Sequence, residues 1–211
     1  MYLPEAFAVS DPEEVVAMLA AARLGALVTH GPGGLFASHL PLLHDREAGR
    51  LIGHLARPNP HRDQAPDGSE ALVIFQGPDA YVSPGWYPSK AEHGRVVPTW
   101  NYEAVHVHGR VRWFTDAQRL ADLVRRLTDR FEAGQPKPWS IDDAPADFTR
   151  RMIAGIVGAE VQIDRVLAKR KLSQNRSAAD RQGVIAGLAA SFEPSDQKIA
   201  ERMQSLEDRE S

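Results

Sequence analysis

A mostly antiparallel α+β fold is what this sequence predicts, on three observations. Short apolar runs bounded by glycine and proline follow one another without the strand–helix–strand alternation of a doubly wound sheet. Amphipathic stretches at helical spacing stand between them instead of after every strand. The 211 residues fit one domain, or one domain with helical additions, and a chain of that length buries roughly 70% of its unfolded surface without staples.

In chain order, Ser10-Asp11-Pro12-Glu13 reads as a capping box, with the Ser10 hydroxyl accepting from the Glu13 N–H. A helix follows, with Val15, Met18, Leu19 and Ala22 on its inner stripe, ending at Gly25. Residues 26–30 and 35–40 read as two strands joined by the Gly31-Pro32-Gly33-Gly34 turn, a hairpin and not a phosphate cradle, since no helix start follows it. Further strands are predicted at 51–56, at the continuous apolar run 71–75, and briefly at 80–83. The stretch 84–98 reads as a long ordered loop, because Trp86 and Tyr87 argue against disorder. Residues 100–113 form the longest predicted strand, with Val105, Val107, Val111 and Trp113 on one face and Tyr102, His106, His108, Arg110 and Arg112 on the other. Thr115-Asp116-Ala117-Gln118 is a second capping box, opening a helix with Leu120, Leu123, Leu127 and Phe131 in register. A helix at 145–154, a strand at 157–164 with a polar end, and a helix at 177–192 complete the count of about seven strands and four or five helices.

The bulk chemistry excludes several classes. The chain has no cysteine, so it has no disulfide and no thiolate metal site. Its first residues carry neither a basic n-region nor an apolar run, and no segment approaches the roughly 20 apolar residues of a membrane span, so a cytoplasmic protein without membrane association is expected. The net charge of -3 gives nucleic-acid binding no global support.

Five polar clusters are demanded by no packing rule: Ser38-His39-Leu40-Pro41, the run from Gly53-His54 through Arg57-Pro58-Asn59-Pro60, Ser83-Pro84-Gly85-Trp86-Tyr87-Pro88-Ser89-Lys90, Val96-Val97-Pro98-Thr99-Trp100-Asn101-Tyr102, and Lys171-Leu172-Ser173-Gln174-Asn175-Arg176. Each joins cationic or amide donors to aromatic or proline surfaces, a mixture suited to a planar polar ligand with a phosphate tail. Together with the opening Met1-Tyr2-Leu3-Pro4 and Phe7, these strings resemble, over roughly residues 1 to 190, the PaiB-type FMN-binding negative transcriptional regulators, a family that includes repressors of protease production and sporulation.

The resemblance implies an FMN-binding split β-barrel with peripheral helices over 1–192, a charged tail or helix over 193–211, and a homodimer with FMN near the subunit interface. By residue chemistry within the matching blocks, Arg57 and Lys90 are candidates for the phosphate or for charge near the isoalloxazine. Ser38, His39, His54, Asn59, Ser83, Thr99 and Asn101 are candidate edge or ribityl contacts. Trp86, Tyr87 and Trp100 are candidate packing surfaces, and Lys171, Gln174, Asn175 and Arg176 are placed to reach the site from the C-terminal segment. The sequence departs from the family pattern at Gly85, where a serine is expected, and at His61-Arg62, where an aromatic is usual.

Alternatives come from other classes. His106-x-His108 puts two imidazoles on one strand face, but no third ligand is placed, so no metal is assigned. No nucleophile elbow surrounds Ser83. The basic segment 165–181 is the candidate DNA contact, although no helix-turn-helix pattern accompanies it. An FMN-dependent oxidoreductase, of flavin reductase or oxidase type, is the principal rival to a regulator, and a haem-binding or haem-degrading relative is the third reading.

Overall fold

The computed structural model describes residues 1–210. The elements in order are β1 (Ala8–Val9), α1 (Pro12–Ala21), β2 (Leu24–Gly31), β3 (Gly34–Asp45), β4 (Arg50–Ala56), α2 (His61–Gln64), β5 (Glu70–Val82), α3 (Ser89–His93), β6 (Thr99–Phe114), α4 (Ala117–Glu132), α5 (Ala146–Ala154), β7 (Ile156–Lys171), α6 (Ala178–Ala189) and α7 (Pro194–Glu210). The strands hydrogen-bond in the order β1-β7-β4-β3-β2-β5-β6, and β7 also pairs with β6, so the run of pairings returns on itself. The registered pairings are antiparallel: β2 meets β3 from Leu24↔Pro41 to Gly31↔Gly34, and β4 meets β7 from Arg50↔Gln162 to Ala56↔Ile156. This is the expected α+β split β-barrel with peripheral helices.

Several boundaries differ from the sequence reading. The two strands expected at 71–75 and 80–83 are one strand, β5, running through Gly77-Pro78. Its buried positions are odd up to Phe75 and even from Ala80 to Val82, the change of parity that an extra residue in a strand produces. The polar end expected at Asp164 is strand as well, because β7 continues to Lys171 and pairs there with β1, Lys169 facing Ala8. The loop 84–98 contains a 3-10 turn at Pro84–Trp86 and then α3. Both proposed capping boxes shift by one residue. Asp11, not Ser10, accepts the Glu13 N–H at 2.9 Å, and Asp116, not Thr115, accepts the Arg119 N–H at 2.8 Å. A carboxylate adds favourable charge at the helix N-terminus to the same hydrogen bond.

The described chain forms two compact units. The first comprises Met1–Val15, Gln76–Val105 and the residues from Leu167 onward; the second comprises Val16–Phe75 and His106–Val166. The core of the first gathers Val82, Tyr87, Leu172, Val184, Leu188, Ile199 and Met203. The sequence predicts a charged tail or helix over 193–211. From Pro194 to Glu210 the chain forms α7, whose Ile199 is 0% exposed, so α7 is part of that core. The core of the second unit gathers Leu43, Ile52, Phe114, Leu120, Leu123, Leu127 and Ile153, which bears out the helical spacing read over α4. Arg130 closes the end of α1 by donating to the carbonyls of Ala20 and Ala22. Among the described residues no helix is long and apolar enough to cross a membrane.

Candidate functional site

In the first unit, β6 and β7 bring two of the sequence clusters together. Thr99, Trp100 and Asn101 begin β6, and Lys171 ends β7. The Lys171 ammonium donates to Thr99 Oγ1 at 2.6 Å and to the Trp100 carbonyl. An ammonium has three donors, so these two acceptors do not exhaust it. Burial, with Lys169 and Arg176 nearby, holds Lys171 below the usual lysine range. Beside it, Trp100 is 53% exposed and meets Tyr81 edge-on, with ring centroids 6.1 Å apart. A large exposed ring next to a partly desolvated cation suits the face and edge of a planar polar ligand.

The N-terminal motif explains itself here. Lys169, two residues before Lys171 on the same strand face, is 5% exposed and donates to the Tyr2 carbonyl at 3.2 Å. Its ammonium lies 5.1 Å from the Tyr102 ring centroid, 5.8 Å from that of Tyr2 and 6.0 Å from that of Phe7, and Phe7 is also 6.0 Å from the Lys171 ammonium. The sequence reading missed Lys169. Its signal was the spacing to Lys171 on a strand, invisible while that strand was ended at Asp164.

Other candidates of this unit are occupied internally. Asn101, fully buried, donates to Ser173 Oγ at 3.0 Å and to Met203 Sδ at 3.4 Å, and Ser173 returns a bond to Asn101 Oδ1. Ser173 holds φ at 65°, an uncommon conformation for a residue other than glycine. The Gln174 side chain accepts from the Leu172 N–H and donates to the Arg170 carbonyl, both at 2.7 Å, standing in for a strand neighbour. Ser83 Oγ accepts from the Gly85 N–H, capping the 3-10 turn. Arg176 lies 4.9 Å from the Tyr87 ring centroid, and Tyr87 is 2% exposed. Trp86 packs on Gly183 and Gly187 of α6. Trp86 and Tyr87 therefore anchor the C-terminal helices and are not free walls. Asp180 completes the anchor by accepting from the Ser89 N–H (3.1 Å) and hydroxyl (2.8 Å). Lys90 and Asn175 are exposed.

Ser38, His39, His54, Arg57 and Asn59 lie in the second unit. There the focus is His61, 0% exposed. Its Nδ1 shares a 2.9 Å hydrogen bond with Ser38 Oγ, its Nε2 a 3.0 Å bond with Thr29 Oγ1, and its backbone N–H donates to Asn59 Oδ1 at 2.9 Å. Asn59 Nδ2 donates in turn to Ser38 Oγ at 3.2 Å. The rings of Phe36 and Trp113 flank the imidazole at 4.9 and 5.7 Å. His61 is thus the hub of a buried network that engages Ser38 and Asn59. His39 is exposed, and the Nδ1 of His54 is buried with no partner among the described residues. Arg57 projects at the end of β4, its Nη2 reaching the Ile156 carbonyl at 3.4 Å.

His44, His54, His61, His106 and His108, all in the second unit, are held below the ordinary imidazole range, burial being the largest cause for each. The unfolded chain therefore takes up protons near pH 6.5, before the folded chain does. Stability is full above about pH 6.5 and falls as pH drops toward the folded values, by about 1.4 kcal/mol per pH unit for each proton fully withheld. Urea unfolding midpoints at stepped pH should decline on the acid side from this point, with a smaller slope in His61→Asn. A flat profile between pH 7 and 5 would contradict the assignment.

Comparison with known proteins adds the following. Residues 1–165 match the family described as "Putative FMN-binding domain". The chain is 32% identical over 206 residues to the protease synthase and sporulation protein PAI 2 of Bacillus subtilis, covering 97% of both chains. Among solved structures, it resembles the FAD and heme binding protein from Mycobacterium smegmatis at a TM-score of 0.59 and 18% identity, covering 91% of this chain and 96% of that one. It resembles the flavocytochrome Anf3 from Azotobacter vinelandii at 0.57 and 17%, covering 77% and 68%. At these identities the two structures speak for the fold alone.

Proposed function

The chain belongs to the putative FMN-binding domain family and is a relative of the Bacillus subtilis protein PAI 2, its cofactor is FMN, and from that premise we propose that it is a flavin-binding regulator of the PaiB type, cytoplasmic and homodimeric, with FMN near the subunit interface. The observation that carries the placement of FMN is the Lys171 corner, where a half-buried ammonium with donor capacity to spare stands beside the exposed Trp100.

The residues fit the group. Trp100 and Tyr81 supply a packing surface, Lys171 a fixed positive charge for an electron-rich ring edge, Thr99 a hydroxyl, and the exposed Lys90 a cation for phosphate. Bound FMN would supply one- and two-electron redox chemistry, and the protein its position and electrostatic surroundings. Lys171, desolvated and tied to Thr99, holds its charge in one place without reorganisation.

The DNA-binding part of the reading draws little from segment 165–181. Arg165 alone among its basic side chains is exposed. Lys169 and Lys171 are held as described, Arg170 pairs with Glu103 and Glu14, Arg176 covers Tyr87, and Arg181 pairs with Glu207.

FMN titration followed by fluorescence quenching tests the placement. Lys171→Gln and Trp100→Ala should each weaken FMN by about tenfold or more, a loss of about 1.4 kcal/mol, while Phe192→Ala, at a fully exposed ring distant in sequence, should not. Wild-type affinity in both site variants would overturn it. NADH added without oxygen separates the roles: a flavin that stays oxidised favours the regulator, and a bleached flavin that turns over in air favours an oxidoreductase.

A further inference from the structure

In the second unit, α4 and α5 border a cleft of about 440 Å³. Its floor is apolar and includes Leu120 and Ile153, both from the buried core of that unit. Its rim carries Arg57, Arg150, Thr115 and Thr149. No acidic residue lines it.

The two arginines differ from their neighbours. Arg50 and Arg119 pair with Glu160, Arg125 with Asp142, and Arg151, adjacent to Arg150 on α5, with Asp147. Neither Arg57 nor Arg150 has a carboxylate partner among the described residues, and both are exposed. The one hydrogen bond of the Arg57 side chain, to the Ile156 carbonyl at 3.4 Å, leaves most of its five donors unengaged.

We propose that this cleft is a binding site for a small amphipathic monoanion, a carboxylate or sulfonate on an alkyl or aryl body. An apolar floor with a few convergent polar groups is the usual build of a small-molecule site, and the volume falls in the usual range of roughly 300–1,000 Å³. The floor rejects a highly charged polyanion, which would have to leave its water over apolar carbon. The rim rejects a neutral hydrocarbon as the preferred guest, because guanidinium forks reward a planar anionic head group with paired charge-assisted hydrogen bonds. Arg57, a candidate from the sequence for the flavin phosphate or for charge near the isoalloxazine, is assigned here to this anion. The site does not depend on the placement of FMN at Lys171, which shares no residue with it.

The test is calorimetric titration of the FMN-loaded protein with octanoate, with naphthalene-2-sulfonate, and with 1-octanol as the neutral analogue of equal chain length. One anion per chain should bind, and octanol should bind about tenfold more weakly or not at all. Arg150→Ala should cost about tenfold in anion affinity, Arg150→Lys should restore part of it, and Ala154→Trp should fill the cleft and abolish binding while retaining the wild-type circular dichroism spectrum. The flavin spectrum should be unchanged in Arg150→Ala. The proposal is overturned if neither anion binds, if octanol binds as well as octanoate, or if Arg150→Ala leaves affinity unchanged. If the anions bind the FMN-free protein and added FMN displaces them, the cleft belongs to the cofactor, and the proposal is overturned along with the Lys171 placement.

Discussion

Replacing His61 by alanine should cost about 3–5 kcal/mol of folding stability, measured as a fall in the urea midpoint at constant m-value. The expected size follows from what the imidazole holds. Ser38 is 6% exposed and Thr29 2%, and each uses a ring nitrogen of His61. Ser38 would keep the Asn59 amide as a partner, whereas Thr29 would be left with a buried hydroxyl whose desolvation is uncompensated, worth about 1–3 kcal/mol. The lost ring also leaves a void between Phe36 and Trp113 that the surrounding strands cannot fill. His61→Phe separates the two contributions, since it refills the volume and strands the hydroxyls. It should recover part of the loss, and adding Thr29→Val to it should recover more. Against a total stability of about 5–15 kcal/mol, a loss below about 1 kcal/mol in His61→Ala would show that the network is not what fixes this part of the sheet.

The fold was legible where a single local rule decides it. The Pro32-Gly33 hairpin, the alternation of Val105, Val107 and Val111, and the Leu120-Leu123-Leu127 stripe each report their own environment, and each stands in the structure as read. Reading failed where a distant partner overrides local chemistry. Gly77-Pro78 looks like a break, but β5 passes through it with a change of face. The run from Arg165 to Lys171 looks like a basic segment beyond the end of a strand, but it is strand because β1 and the rings of Tyr2 and Phe7 are brought to it from the N-terminus. A charged sequence with Ile199 and Met203 four residues apart looks like a tail until a core is present to receive them.

The candidate site was legible by composition and not by role. Two of the blocks named from the sequence meet in space, where Lys171, Thr99 and Trp100 converge. It could not separate side chains that face outward from those spent on the fold. Asn101, Gln174, Ser83, Ser38 and Asn59 have the donor and acceptor chemistry of ligand contacts, and each also bonds to a backbone or side-chain partner within the fold. A polar residue inside a dense apolar block has two uses, and only its neighbours in space distinguish them.

The glycines of α6 show the same limit in a form that can be measured. In an exposed helix, glycine to alanine stabilises by about 0.8–1 kcal/mol, so sequence propensity predicts that Gly183→Ala and Gly187→Ala are improvements. Packing reverses the sign. A Cβ on Gly183 would lie 2.0 Å from the Trp86 carbonyl oxygen, and one on Gly187 would lie 2.4 Å from Trp86 Cδ2 and 2.5 Å from Cε2. Relief requires α6 to part from the Pro84–Trp86 turn, which loosens the seats of Trp86 and Tyr87 in the core shared with Val184 and Leu188. Each substitution should therefore destabilise by about 2–3 kcal/mol net, lowering the melting temperature by roughly 5–10 °C in a chain of this length. The two differ in what can rescue them. The atoms crowding Gly187 belong to the indole, so Trp86→Ala removes the clash and the double variant should be markedly less destabilised than the sum of the singles. The atom crowding Gly183 belongs to the backbone, which Trp86→Ala leaves in place, so that pair should be close to additive. Equal coupling in the two cycles would mean that α6 moves as a rigid rod away from the turn, and the anchoring of the C-terminal helices would then rest on the Ser89–Asp180 bonds instead of on the indole.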